Sequence, residues 1–265
     1  MRRVVMAAGA CALCATGAMA GGIDRSGQSI AALFEKGDYA ELSFGAVNPS
    51  VSGLFMGMVG SGNMAPSYQQ LGFAFKKQLN DKLSVALIVD QPFGADVGYP
   101  EATGYPLGGT TAQLSSKAIT AVGRYQLSDR VSAHLGLRYQ TMQGEVEIWQ
   151  GGGPVYGLSV PASGGRGYLF GAAYEIPEIA LRLAATYNST IDMSFDVLEG
   201  PNAATLVVPG AFTSTSPESL NIEFQSGVAA DTLVFGSIRW VNWPQFDITP
   251  PVYYATNTEA LVDYQ

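Results

Sequence analysis

From Tyr39 onward the chain repeats one pattern: an alternating apolar strand, a short polar turn, a second alternating strand, then a long glycine-rich stretch. Leu71, Phe73 and Phe75 alternate with Gly72, Ala74 and Lys76, and the turn Gln78–Lys82 leads to Leu83, Val85, Leu87 and Val89. The next pair runs through Ile119, Ala121, Gly123 and Tyr125, turns at Leu127–Arg130, and returns through Val131, Ala133, Leu135, Leu137 and Tyr139. A third pairs Tyr168–Tyr174 with Ile179–Tyr187 around Ile176-Pro177-Glu178, and a fourth pairs Leu220–Phe224 with Val234–Trp240 around Ala229–Thr232. Period-2 alternation puts one side-chain set on each face of a sheet. With a first strand over Tyr39–Val47, the pattern predicts nine strands, and a tenth beginning near Leu261. Loops are expected over Asn48–Pro66, Gln91–Ser115, about Gly144–Gly165 and about Asp192–Pro217.

Short turns at one end and long loops at the other are the signature of an all-β fold, a transmembrane antiparallel β-barrel. The aromatic residues fit it. Phe75, Tyr125 and Tyr174 stand beside the short turns, while Tyr139, Tyr187 and Trp240 stand beside the long loops. All six share a face with the aliphatic residues, which makes two girdles around an apolar band. The opposite face is polar: Thr120, Arg124, His134, Arg138, Gln140, Arg182, Thr186, Asn188, Asn221, Glu223, Gln225, Ser237 and Arg239. Arg124, Arg138, Arg182 and Arg239 are expected as a lumenal charge network, with Asp90 and Glu223 among its partners. A cationic path, or a contact for a carboxylate head group, is the other reading of the same four residues.

The N-terminus changes where such a sheet would reside. Arg2 and Arg3, an apolar run from Val4 to Ala15, and Ala18-Met19-Ala20 before Gly21 describe a secretory signal peptide over residues 1–20. Residues 21–38 follow as a short amphipathic segment, either tucked into a lumen like a hatch or serving as a linker, and residues 39–265 form the barrel domain. Both cysteines, Cys11 and Cys14, fall within the signal, so no disulfide is expected. With Arg2 and Arg3 removed, 22 acidic residues face 12 basic ones, a formal −10, which argues against a nucleic-acid partner. Residues are 47% hydrophobic and only 14% charged, against about 25% charged in ordinary soluble domains.

Catalysis has little to draw on. His134 is the only histidine, and Ser132 shares its strand face without any serine-motif spacing. No clustered metal ligands or phosphate loop occur, and no cofactor, metal or enzymatic activity is expected.

Several segments, taken together in order and spacing, resemble the FadL/TodX family of outer-membrane transporters of long-chain fatty acids and hydrophobic compounds. They are Gly45-Ala46-Val47-Asn48-Pro49, Gly123–Leu127 with Leu135-Gly136-Leu137, Tyr174-Glu175 with Thr186-Tyr187-Asn188-Ser189, and Ser237–Phe246 with Trp243-Pro244-Gln245-Phe246. The resemblance implies a monomeric fourteen-stranded barrel in the bacterial outer membrane, inserted by the barrel assembly machinery among outer-membrane lipid. It also implies an N-terminal hatch, ligand capture between the extracellular loops, passive diffusion inward, and exit through a gap at a kink in the third strand. Two departures are visible. The segment before the first strand is shorter than the family's hatch, and only about nine strands precede Gln265, so a C-terminal portion is expected to be missing. A general porin-type channel, or a structural or adhesive barrel acting through its loops, are the alternative functions.

Two groups of site residues follow. Asp90-Gln91-Pro92-Phe93-Gly94 closes the third strand, where Pro92 cannot donate to a ladder and Gly94 relaxes the backbone, so Pro92, Phe93 and Gly94 are expected at the kink and lateral gap. The same residues also read as ordinary loop punctuation. Ile148, Trp149, Val155, Tyr156 and Leu158 in one long loop, with Leu198, Val207 and Phe212 in another, are expected to form the ligand-binding groove. The alternative is that they pack the loops into a lid. Each buried methylene contributes about 0.8 kcal/mol, so a long-chain fatty acid could reach micromolar affinity without a polar contact.

Overall fold

A computed structural model describes residues 23–264; the expected signal peptide lies outside them. Sixteen strands and one short α-helix occur among these residues. β1 (Tyr39–Val47) leads to a small ribbon, β2 (Leu54–Phe55) and β3 (Val59–Gly60), then to β4 (Tyr68–Gln78), β5 (Leu83–Asp90) and β6 (Gly94–Gly98). β7 (Thr111–Gln126), β8 (Val131–Gln150), β9 (Gly153–Ile176) and β10 (Leu181–Asn188) follow. β11 (Ile191–Gly200) and β12 (Val208–Ser216) form a hairpin, succeeded by β13 (Ser219–Ala229) and β14 (Thr232–Val241). The chain ends on β15 (Asp247–Ile248), α1 (Pro251–Asn257) and β16 (Val262–Asp263). Nine strands run in the order β1-β4-β5-β7-β8-β9-β10-β13-β14, each antiparallel to its neighbour. These are the nine that the alternation predicts. No helix among the described residues is long and apolar enough to cross a membrane, which says nothing of crossing by strands.

The two faces of this sheet differ as the alternation requires. Leu42, Phe44, Leu135, Leu137 and Ile238 stand 64–80% exposed on the outer face. The inner face holds buried Thr120, His134, Arg138, Gln140, Thr186 and Asn188. A sheet that is apolar outside and polar inside is inverted relative to a soluble sandwich, and hydrocarbon is the solvent in which that arrangement is stable.

Two of the expected loops are instead largely strand, and a third is partly so. β8 and β9 continue past the bilayer-length segment as one hairpin that turns at Gly151 and Gly152, whose φ of 64° and 89° favour glycine. The Asp192–Pro217 stretch is the β11–β12 hairpin, and part of the Gln91–Ser115 stretch is β6 paired to β7. Glycine lowered the strand signal here, yet the period-2 pattern persists: Ile191, Met193, Phe195 and Val197 are buried, and their neighbours Asp192, Ser194, Asp196 and Leu198 face out. The stretch near Leu261 also departs from expectation. β16 pairs with β15 in a separate ribbon and does not join the main sheet.

Part of residues 23–38 packs against the inner face. A short 3-10 helix, Ala31–Phe34, buries Ala32, Leu33 and Phe34 on Ala74, Ala86, Val122, Ala173 and Ala184 of the wall. The wall can receive it because its inner positions there are small. Lys76, 1% exposed, holds the end of the segment by donating from Nζ to the carbonyls of Glu35 (2.8 Å) and Gly37 (2.9 Å).

Candidate functional site: an apolar cavity, a polar belt and a break in the wall

At the long-loop end the extensions of β7, β8, β9, β11 and β12 enclose a cavity of about 330 Å³. Ala95, Ala112, Leu114, Met142, Val146, Ile148, Leu158, Val160, Phe195 and Phe212 line its walls. Phe195 and Phe212 stack at 5.4 Å between ring centroids. Ile23 enters from the N-terminal segment, and Phe246, Ile248, Leu261, Val262 and Tyr264 enter from the C-terminal strap. Glu145 is the one charged residue on this lining, and no cation is among it.

The strap, residues 243–264, is fastened at two carboxylates. Glu199, fully buried at the end of β11, accepts from Tyr156 Oη (2.8 Å) and from the backbone N–H groups of Val252 (3.0 Å) and Tyr253 (2.9 Å). It thereby satisfies the otherwise unpaired first turn of α1. Tyr253 also packs on Tyr156 at 5.1 Å. Glu218 accepts from Tyr187 Oη (2.6 Å), Asn242 (3.1 Å) and Gln245 (3.3 Å). The Tyr187 and Asn242 bonds hold its carboxyl below the usual carboxylate range, so this anchor weakens only in acid, as pH falls through that lowered value. Beneath the strap, Trp243 contacts both Tyr264 (5.3 Å) and Phe93 (6.2 Å).

Below the cavity the interior turns polar. Arg138 donates to Thr120 Oγ1 (2.8 Å) and Asn188 Oδ1 (3.0 Å). Arg239 pairs with Asp24 and donates to Ser219 (2.9 Å), Asn221 (2.7 Å) and Gln28 (3.0 Å). Arg124 pairs with Glu175 and donates to Ser132 Oγ (2.9 Å), and both Arg124 and Arg182 lie 4.9 Å over the Phe34 ring. The carboxylates of this network are thus Asp24 and Glu175. Of the expected partners, Asp90 bonds Ser26 and acts on Arg138 through its charge alone, while Glu223 bonds Ser29. Asp24 was hidden from sequence reading because it belongs to the N-terminal segment, whose depth in the lumen no local pattern reveals. Ser132 and His134 do not bond each other, since His134 Nε2 lies 3.0 Å from Thr186 Oγ1. No trio of potential metal ligands is assembled among the described residues.

Beside the cavity the wall is broken. β5 stops at Asp90 and β6 starts at Gly94, both on the edge of β7. β4 meets β5 only from Phe73↔Val89 downward, which leaves Tyr68–Gly72 without a strand partner on that side. Pro92, Phe93 and Gly94 sit at the break. Phe93, 1% exposed, is held by Ser116, whose Oγ accepts from Phe93 N–H (2.8 Å). The N-terminal segment supplies a short replacement strand: Asp24 bridges Phe93, Arg25 N–H donates to Pro92 O (2.8 Å), and Gly94 N–H donates to Ile23 O (2.8 Å). An opening of about 390 Å³ remains, lined both by inner residues (Ala74, Ile88, Asp90) and by outer ones (Phe44, Leu71, Phe73, Val89).

The expected groove residues divide. Ile148, Leu158 and Phe212 line the cavity, and Tyr156 is buried at its edge on Glu199. Trp149 packs against Gly109 and bonds Glu147 (3.1 Å). Val155, Leu198 and Val207 are exposed at 49%, 42% and 68% on other surfaces. Of the residues that sequence reading missed, Leu114 and Phe195 lie in segments read as loops, Met142 lies just past the end of a predicted strand, and Phe246 follows the ninth strand.

Comparison with solved structures finds the same fold. A Pseudomonas aeruginosa FadL homologue superposes with a TM-score of 0.57 at 11% identity, over 85% of this chain and 63% of that one. The Ralstonia pickettii toluene transporter TbuX gives 0.52 at 12% identity, over 78% and 61%. A TodX mutant described as a monoaromatic hydrocarbon channel gives 0.56 at 14% identity, over 83% and 65%. The described sheet is thus an antiparallel β-barrel sheet with the fold of these channels, and the chain spans 61–65% of their lengths. No family model matches the chain, and no curated protein does.

Proposed function

We propose that this protein is an outer-membrane channel of the FadL/TodX kind, which takes up hydrophobic small molecules by passive diffusion through the apolar cavity and out through the break in its wall. The observation that carries this reading is the 330 Å³ apolar cavity set beside a break in the strand ladder with an opening at it. A straight path down the lumen would carry an apolar solute across the hydrogen-bonded belt of Arg138, Asn188 and Arg239, where it could only disrupt satisfied polar groups. The sideways path avoids that belt and meets the Arg25–Asp96 pair at the break instead. That same filled interior disfavours a water-filled porin, because residues 23–38 and the belt occupy the bore.

The cavity also favours uncharged ligands over long-chain fatty acids. An apolar cavity of about 150 Å³ takes one benzene, so this one has room for a substituted or fused ring system. A carboxylate buried there would meet no cation and would face Glu145. Binding of labelled toluene and hexadecanoate to the detergent-extracted protein tests the reading. Toluene is expected to bind more tightly per carbon, with little dependence on salt. Phe212→Ala should weaken toluene binding about tenfold, whereas Trp149→Ala should leave it within twofold. If neither compound binds while small sugars cross vesicles containing the protein, the porin reading replaces this one.

A further inference from the structure

We propose that Arg25 is a crossbar that closes the break in the wall, and that its release opens the passage to the lipid. The proposal rests on the reading of the break as a ligand route. Arg25 leaves the replacement strand beside Gly94 and reaches both sides of the unpaired stretch. On the β6 side its guanidinium pairs with Asp96 at 2.7 Å, with both side chains largely buried. On the β4 side it lies 3.9 Å over the Tyr68 ring. No backbone ladder joins Tyr68–Gly72 to β6; the Arg25 side chain spans the space between them, and Leu71 N–H reaches Gln91 Oε1 (3.1 Å) at the end of β5.

The chemistry suits a gate. A guanidinium holds a carboxylate and an aromatic face at once, since its plane stacks while its edge donates. With side chains only 11% and 26% exposed, the pair is screened less than one at a water surface. The contact is also local, made by one side chain, and can break without unzipping a strand. Gly94 is part of the device. A Cβ there would stand 2.6–2.9 Å from Arg25 Nε, Cζ and Cδ, so the crossbar fits only because that position has no side chain. Arg25 borders the opening at the break, and Ile23, two residues before it, borders the apolar cavity. A ligand that displaces Ile23 would therefore pull on the segment carrying the crossbar.

The test reads access through the wall directly, without transport. Ile88→Cys, on a Cys11→Ser/Cys14→Ser background, places a thiol on the inner lining of the opening. The full chain is inserted in lipid vesicles and labelled with a long-alkyl maleimide dissolved in the bilayer. Labelling is expected to be slow with Arg25 in place and at least tenfold faster with Arg25→Ala. Gly94→Val, which keeps both charges but displaces the side chain, should match Arg25→Ala. Arg25→Lys, which keeps the ion pair and loses the planar stack, should fall between. Equal rates in all four proteins, or an equal rise with a charged water-soluble maleimide, would overturn the crossbar. Faster labelling with no change in toluene uptake would uphold the crossbar and overturn the transport reading instead.

Discussion

Replacing Glu199 with Leu is expected to unfasten the C-terminal strap and expose the cavity, with a loss of about 3 kcal/mol in the local stability of that segment. Three donors end on this one buried carboxylate: Tyr156 Oη and the N–H groups of Val252 and Tyr253. A leucine fills most of the volume and satisfies none of them, so the segment gains by opening to water. About 3 kcal/mol corresponds to roughly a hundredfold more frequent opening. Amide hydrogen exchange at Val252, Tyr253 and Leu261 reads it, and the lower parts of β7 and β8 should stay protected, because their partners lie elsewhere. Glu199→Gln retains one acceptor and should show a smaller rise. Unchanged exchange in Glu199→Leu would mean that Tyr156–Tyr253 packing and the Glu218 anchor suffice to hold the strap.

Val146→Arg should reverse the ligand preference of the cavity. Val146 faces the cavity from β8, among residues that present no cation. An arginine there cannot escape its burial by losing a proton, so a bound carboxylate would be its natural counter-ion. Toluene affinity is expected to fall at least tenfold through lost apolar surface and hydrated charge. Hexadecanoate affinity is expected to rise at least tenfold, which changes the ratio about a hundredfold. The measurement is competitive binding of the two ligands to parent and variant at fixed salt. If the parent already prefers hexadecanoate and the variant does not improve on it, the cavity does not set the ligand class.

The alternating pattern by itself determined the main sheet. A strand's side-chain period is two regardless of what packs on it, so the nine strands, their short turns and the apolar outer face followed from residues such as Leu135, Leu137 and Tyr139 without any tertiary knowledge. The inward direction of Arg124, Arg138, Arg182 and Arg239 followed for the same reason. What the sequence could not decide was anything set by contact between distant segments. Residues 23–38 carry too few apolar positions to say whether they lie inside or outside, and only the small inner side chains of five different strands make room for them. The cavity is likewise a product of packing: Phe195, Leu158 and Ala95 come from three stretches that glycine and proline made look like loops, and Phe246 comes from the segment after the ninth strand. Trp149 and Phe212 read alike in a hydrophobicity scan, and only the register of their hairpins sends one out and the other in. The break in the wall shows both limits together. Pro92 and Gly94 marked the place where a ladder would fail, because a residue without an N–H cannot continue one. That Arg25 reaches across it from the N-terminal segment is decided by tertiary structure alone, because no local pattern links Arg25 to Tyr68 and Asp96.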